Sequence, residues 1–132
     1  MKIEDIKFKA IRLDNGEWVE GSLLRSTAGI KERVYIVDSF SSMSDYSVVG
    51  IDPLTVCQFT GEKDMNGNEI YIGDIISNLE TGSIIEVTWN ERLMRLDCKF
   101  LNADKGLEVP FGIFVSRYKR IVIVGNKFDK KK

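Results

Sequence analysis

The 132-residue sequence contains no histidine. That absence excludes Ser-His-Asp and Cys-His nucleophile arrangements, His-ligated zinc and imidazole pH switches within this chain. Cysteine is nearly as scarce. Cys57 and Cys98 are the only two, far apart and in no CxxC pair, so they match neither a zinc ribbon nor a thioredoxin-type motif, and buried free thiols are expected. Long apolar runs are missing too: the longest, residues 34–37 and 121–124, have four residues, against the ~20 that span a bilayer. The opening MKIEDIKFKA places Glu4 and Asp5 where a secretory signal needs an apolar core, so a cytoplasmic protein with no membrane partner is expected.

What is present suits one core-forming chain. Apolar residues make up 43%, and a length of this order buries roughly two thirds of its unfolded surface. Lys and Arg number 19 against 20 Asp and Glu, yet the balance is uneven. Arg117, Lys119, Arg120, Lys127, Lys130, Lys131 and Lys132 face only Asp129 in the last 16 residues, giving that end +6 and the remainder −7. A terminal lysine run is ordinarily a solvated end, but a basic end also suits nucleic acid or an acidic partner.

Residues 6–12 alternate in the period of a half-buried strand, Asp14-Asn15-Gly16 turns the chain, and residues 17–24 return, which predicts a first hairpin. Residues 33–37 predict a central strand, since Val34, Tyr35, Ile36 and Val37 leave no polar face. Residues 39–47 place Phe40, Met43 and Tyr46 at helical spacing, predicting a short helical turn or an irregular loop. A short strand is expected at 55–59, and the glycine-rich stretch 60–74 predicts an extended surface loop. A second hairpin follows, 75–79 with 83–90, in which Ile85, Val87 and Trp89 share one face, and a further strand is expected at 95–101 with Asp97 and Lys99 outward. Phe111, Phe114, Val115 and Tyr118 suit a short helix, and residues 121–124 a closing buried strand.

These elements predict a mainly β fold, or a β-rich α+β fold with few short helices, made of antiparallel hairpins with a small, strongly bent β-barrel in the C-terminal half. The expected organisation is an N-terminal β lobe at 1–59, a loop at 60–74, the barrel at 75–126 and a basic tail at 127–132, all in one compact unit.

The stretch from Thr55 to Ile76, TVCQFTGEKDMNGNEIYIGDII, resembles the signature of the YopX family of phage and prophage proteins. The family pattern falls on Thr55, Val56, Gln58, Phe59, Thr60, Gly61, Asp64, Gly67, Ile70, Tyr71, Gly73, Asp74 and Ile75. The opening FKAIRLDNGEWVEGSLL looks like the family's first hairpin and IVIVGN is similar to its closing strand, while the central loops do not visibly correspond. The resemblance implies a phage or prophage setting in a bacterial cell and a β-rich fold, without an established activity. The residues themselves suggest a structural or partner-binding motif. Gly61, Gly67 and Gly73 tolerate left-handed conformations, Asp64 and Asp74 accept N–H bonds in the turns that follow them, and Phe59 and Tyr71 pin the loop to the core.

Sharper chemistry fits less well. Asp64, Asn66, Asn68 and Glu69 mimic a calcium loop, but the sixth and twelfth positions fall on Glu69 and Ile75 rather than Gly and Glu. Asp64, Glu69, Asp74 and Glu86 are the candidate carboxylates for acid–base or Mg²⁺ chemistry, with no spacing that forces two onto one site. No catalytic residue, metal, cofactor or small-molecule substrate is therefore expected, and the leading expectation is a non-enzymatic interaction module, a homo-oligomer or the binder of a host or phage protein. The alternative is nucleic-acid binding through Arg92, Arg95, Arg117, Lys119, Arg120 and Lys127, with Trp89 and Tyr118 as stacking surfaces.

Overall fold

The computed structural model describes residues 2–129 except 28, 30, 31, 43 and 103–107. The chain divides into two compact units, residues 1–59 and 60–132. Both are mainly β, and the strands pair antiparallel in both. No described helix is long and apolar enough to cross a membrane.

In the first unit, β1 (Phe8–Ile11), β2 (Trp18–Ser26), β3 (Arg33–Ser42), β4 (Asp45–Gly50) and the start of β5 (Cys57–Lys63) lie in the order β4-β3-β2-β1-β5. The predicted first hairpin is present, with Ile11 opposite Trp18. Its connection is longer than an Asn-Gly two-residue turn: the Arg12 N–H donates to Glu17 O, the Glu17 N–H to the Asn15 side chain, and only Gly16 takes positive φ, 73°. The helical spacing of Phe40, Met43 and Tyr46 misled. β3 runs on to Ser42 and β4 returns from Asp45, with register shifts between Val37 and Ser39 and between Phe40 and Ser42. Each shift inserts one residue into β3, and such bulges disturb the two-residue period that otherwise marks a strand. Met43 itself lies outside the described residues.

This unit closes its interior on Ala10, Ile36 and Ile51, with Phe8, Val19, Leu23, Val34 and Val56 around them. Past β4 the chain is held on both sides. The Ile51 N–H donates to Val34 O, the Leu13 N–H to Gly50 O, and Arg12 and Ile51 form an isolated bridge. Asp52 then starts a single 3-10 turn over Pro53–Thr55, its Oδ1 accepting the Leu54 N–H, where a strand beginning at Thr55 had been expected.

In the second unit, β7 (Asp74–Asn78), β8 (Ile84–Asn90), β9 (Arg95–Phe100), β10 (Glu108–Pro110) and β11 (Ile121–Asn126) form a sheet in the order β10-β9-β8-β7-β11. Ile76, Ile85, Val87, Cys98 and Ile121 make its core with Ile70. The predicted short helix is there as α1 (Phe111–Arg117), and its Phe111 and Phe114 are buried in that core. Seven residues are too few to hold a helix by themselves, so these two rings supply the stability that propensity cannot.

Three expectations are not met in this unit. No closed barrel is found among the described residues: β10 has three residues, ends at Pro110, which has no N–H for a ladder, and leads straight into α1. The expected loop at 60–74 is instead the far part of β5, a turn, β6 (Glu69–Tyr71) and the start of β7. Asp97 is 3% exposed instead of facing solvent, and Trp89, which an unbroken register keeps on the face of Ile85 and Val87, is 48% exposed where those two are buried. The turn expected at 104–106 and the tail residues 130–132 lie outside the described residues.

Candidate functional site

The most patterned part of the sequence folds into a strand, a turn and a strand. β5 runs to Lys63, residues 64–68 turn, and β6 returns, with the Thr60 hydroxyl donating to Ile70 O at 2.7 Å. Gly67 sits in that turn at φ 82°, a conformation that costs a residue with Cβ about a kcal/mol or more. Gly73 (φ 100°) makes the tighter turn into β7, its N–H donating to Val87 O and its carbonyl accepting from Lys127. Gly61 is also left-handed, at 89°.

Asp64, 6% exposed, is the hub of the turn. Its Oδ1 accepts the N–H groups of Asn66 (3.0 Å) and Asn68 (2.9 Å), and its Oδ2 accepts the N–H of Ile123 on β11 at 3.0 Å. Beside it the Met65 N–H donates to Ile121 O. Burial pushes the Asp64 carboxyl up, but the N–H groups of Ile123, Asn68 and Asn66 outweigh it and hold the pKa below the usual carboxylate value.

Asp74 is fully buried and points back as well as across. Its Oδ2 accepts the Tyr71 N–H at 2.8 Å, and its Oδ1 accepts from the Asn126 side-chain amide at 2.9 Å. Asn126 is buried in turn, its Oδ1 accepting the Phe128 N–H and its own N–H donating to Asp129. Sequence reasoning had Asp74 serving the turn that follows it. It serves the one before, and the partner that matters, Asn126, carried no signal beyond standing at the end of a predicted strand.

The two motif carboxylates thus fasten the motif to β11, and both spend their oxygens on hydrogen bonds inside the unit. Ile70 and Tyr71 are buried as predicted, and Gln58 is exposed on β5. Glu69 and Glu86 are half-buried. Among the described residues, no group of three or more Asp, Glu or Cys is placed to hold a metal ion. Cys98 is enclosed, and burial, with the adjacent Asp97 charge, pushes its thiol up to about 12.

The candidate cations fall into two kinds. Arg95 donates through Nε to buried Asp97 at 2.7 Å, the Lys119 ammonium donates to Val115 O, and the Lys127 ammonium lies 4.9 Å above the Phe128 ring. Arg92, Arg117 and Arg120 are exposed. Lys119 and Arg120 are also steered by their backbone, since both N–H groups donate to Glu80 Oε2. Lys63, Met65, Tyr118 and Lys119 line a shallow cleft of about 230 Å³ beside the motif turn.

The other distinctive surface is the tip of the β8–β9 hairpin. Asp97 accepts from the Asn90 amide (2.7 Å) as well as from Arg95, and Asn90 Oδ1 accepts the Leu93 N–H. This fixed base carries Trp89 (48% exposed), Leu93 (40%) and Met94 (77%), and Met94 has φ 52°, the only positive φ outside glycine among the described residues. The alternation of β9 hid it: Asp97 reads as a solvent-facing residue until Asn90 and Arg95 are seen to enclose it.

The model of one protein family, described as YopX protein, matches residues 7–130, nearly the whole chain. No curated protein matches it.

Proposed function

The chain belongs to the YopX family, and from that premise we propose that it is a non-enzymatic protein-interaction or self-assembling module of a phage or prophage, acting in the bacterial cytoplasm. The observation that carries this reading is the tip of the β8–β9 hairpin. Exposed apolar side chains are ordinary when scattered, but here Trp89 near the end of β8 and Leu93 and Met94 in the turn after it fall close together in the chain. Their base is held by the Asn90–Asp97–Arg95 network, so little side-chain and loop freedom remains to be lost on docking. Met94 holds a left-handed backbone that a glycine would adopt more easily, and keeping a large apolar side chain there favours contact over turn stability. Tryptophan is also among the residues that dominate binding energy in protein interfaces.

The test combines a solution mass and a capture. Sedimentation velocity over a concentration series reads self-assembly, and capture from a bacterial lysate reads a heterologous partner. Each is run with the wild type and with W89S/L93S/M94S. The expected outcome is an assembly or a defined partner that the triple variant loses while its circular dichroism is unchanged. A monomer at every concentration, with nothing distinguishing the two proteins in capture, overturns the reading.

A second reading has one observation of its own. Trp89 and Arg92 are both exposed and close in the chain, the combination that base stacking and a phosphate contact would use. Fluorescence anisotropy of labelled DNA and RNA separates the two readings. Saturable binding that weakens steeply with salt and is lost on replacing Arg117, Lys119 and Arg120 puts nucleic acid first.

A further inference from the structure

We propose that the tip of the β8–β9 hairpin on one copy of this chain docks into a groove in the first unit of another copy. The inference rests on the self-assembly half of the reading above and names the surface that receives the tip.

The groove lies where β3, the end of β4 and the turn after β1 come together. Leu13, Val34, Tyr35, Ile51 and Pro53 line it, with Glu32 and Arg33 also on its wall. Its frame is bonded. The Ile51 N–H donates to Val34 O, the Leu13 N–H donates to Gly50 O, and Pro53 stands in the 3-10 turn whose Leu54 N–H donates to Asp52 Oδ1. A frame already in place has little order left to lose on docking. The space is about 340 Å³, at the bottom of the ~300–1,000 Å³ typical of ligand pockets, so it suits one anchoring side chain rather than a whole small molecule.

The tip answers this groove in three respects. Trp89, Leu93 and Met94 are exposed and apolar, and most of the groove's lining is apolar too. The Trp89 indole N–H can only donate, the Tyr35 hydroxyl can accept, and neither has a hydrogen-bond partner among the described residues. The third respect is charge. Glu32 is spent on Arg25, whose Nε donates to its Oε1 at 2.7 Å, which leaves exposed Arg33 as the groove's charge without a partner among the described residues. Glu91 is the exposed carboxylate of the tip and has no such partner either. Opposite charges at the edge of a contact set its sense more than its strength. Because this one chain carries both members of each match, a second copy is selected over a foreign partner.

Tip and groove are different surfaces, so the contact is heterologous. A copy that docks its tip keeps its own groove open for the next, and the series closes as a ring or grows. A two-fold dimer, whose patch pairs with itself, has no such property, and the difference supplies the test.

Sedimentation velocity is run on the full-length wild type, on the tip variant W89S/L93S/M94S, on the groove variant L13D, and on an equal mixture of the two variants. Leu13 is 70% exposed and holds Gly50 through its backbone, so circular dichroism of L13D is expected to match the wild type. Each variant alone is expected to assemble at least about tenfold more weakly than the wild type. The mixture is expected to form a complex of two chains and nothing larger, since one intact tip remains to meet one intact groove. R33E and E91R, both at exposed positions, are each expected to weaken assembly about fivefold, and R33E/E91R to recover it. An assembly that the tip variant loses but L13D and R33E keep overturns the groove and leaves the interaction reading standing. Two variants that fail to complement each other overturn the head-to-tail contact. A wild type that is monomeric at every concentration overturns this inference, and with no captured partner it overturns the reading as well.

Discussion

The two units of this chain solve the same problem differently. The second gathers eight residues into its core cluster, Phe111 and Phe114 among them, and adds two buried carboxylates that tie residues 64 and 74 to β11. The first has three, Ala10, Ile36 and Ile51, and holds together mainly through strand pairing. Apolar burial contributes roughly 1.5–3 kcal/mol per large side chain, so the second unit is expected to be the more resistant. The lesson concerns the motif. Its conspicuous acidic residues, which in the sequence suggest chemistry, are the fastenings of the sturdier unit.

The sharpest way to break this comparison is Asp74→Ala, which strands the Tyr71 N–H and the Asn126 amide in a dry interior. A loss of about 3 kcal/mol is expected in guanidinium unfolding, with amide exchange rising in β7, β8 and β11 and unchanged in β2 and β3. Equal acceleration everywhere means that both units open as one block, and the contrast is then wrong.

The first unit has its own weak point. Gly21 has φ 156°, and a Cβ there meets the Val37 carbonyl oxygen at 2.2 Å, a backbone atom that cannot turn aside. Gly21→Ala is expected to cost roughly 2 kcal/mol and to release the β2 and β3 amides first. A neutral result shows that this sheet has room to give.

Asp64→Asn is a gentler probe of the second unit. The amide oxygen still serves Asn66 and Asn68, but the NH₂ group opposes the Ile123 N–H, for a loss of about 1–2 kcal/mol. Because folding lowers this pKa below the ordinary 3.8, the carboxylate's contribution is complete above that value and fades as pH falls through the folded one. The gap between variant and wild type should therefore narrow only in strong acid. A gap that is flat with pH removes the charge from the account.

The least intrusive probe needs no mutation. Cys57 lies in the first unit and Cys98 in the second, both buried, so thiol labelling reports the opening of each. Cys98, in the unit with the larger buried core, is expected to label more slowly than Cys57. The reverse order inverts the ranking of the two units.

Much of the fold was legible because strands and turns announce themselves locally. The first hairpin, the second hairpin, α1 and the closing strand all stand where alternation, glycine turns and paired aromatics put them. Failures came where the cause was non-local. Bulged β3 had no clean period, Trp89 keeps the alternation of Ile85 and Val87 yet stays 48% exposed, and Asp97 looks polar until Asn90 and Arg95 enclose it. The motif was visible as a pattern but not as a mechanism, since its partners Ile123 and Asn126 lie 59 and 52 residues away.

Those separations bear on how the protein is made. A ribosome adding ~5–20 residues per second delivers the motif several seconds before β11, so through that interval Asp64 Oδ2 and Asp74 Oδ1 await the Ile123 N–H and the Asn126 amide that they accept in the finished fold. The first unit has the pairings among β1, β2, β3, β4 and the start of β5 in hand by residue 59 and is free to form at once. The second assembles vectorially and then shuts in a single late step, when Ile121–Asn126 leaves the exit tunnel and the last strand made latches the first turn of its unit.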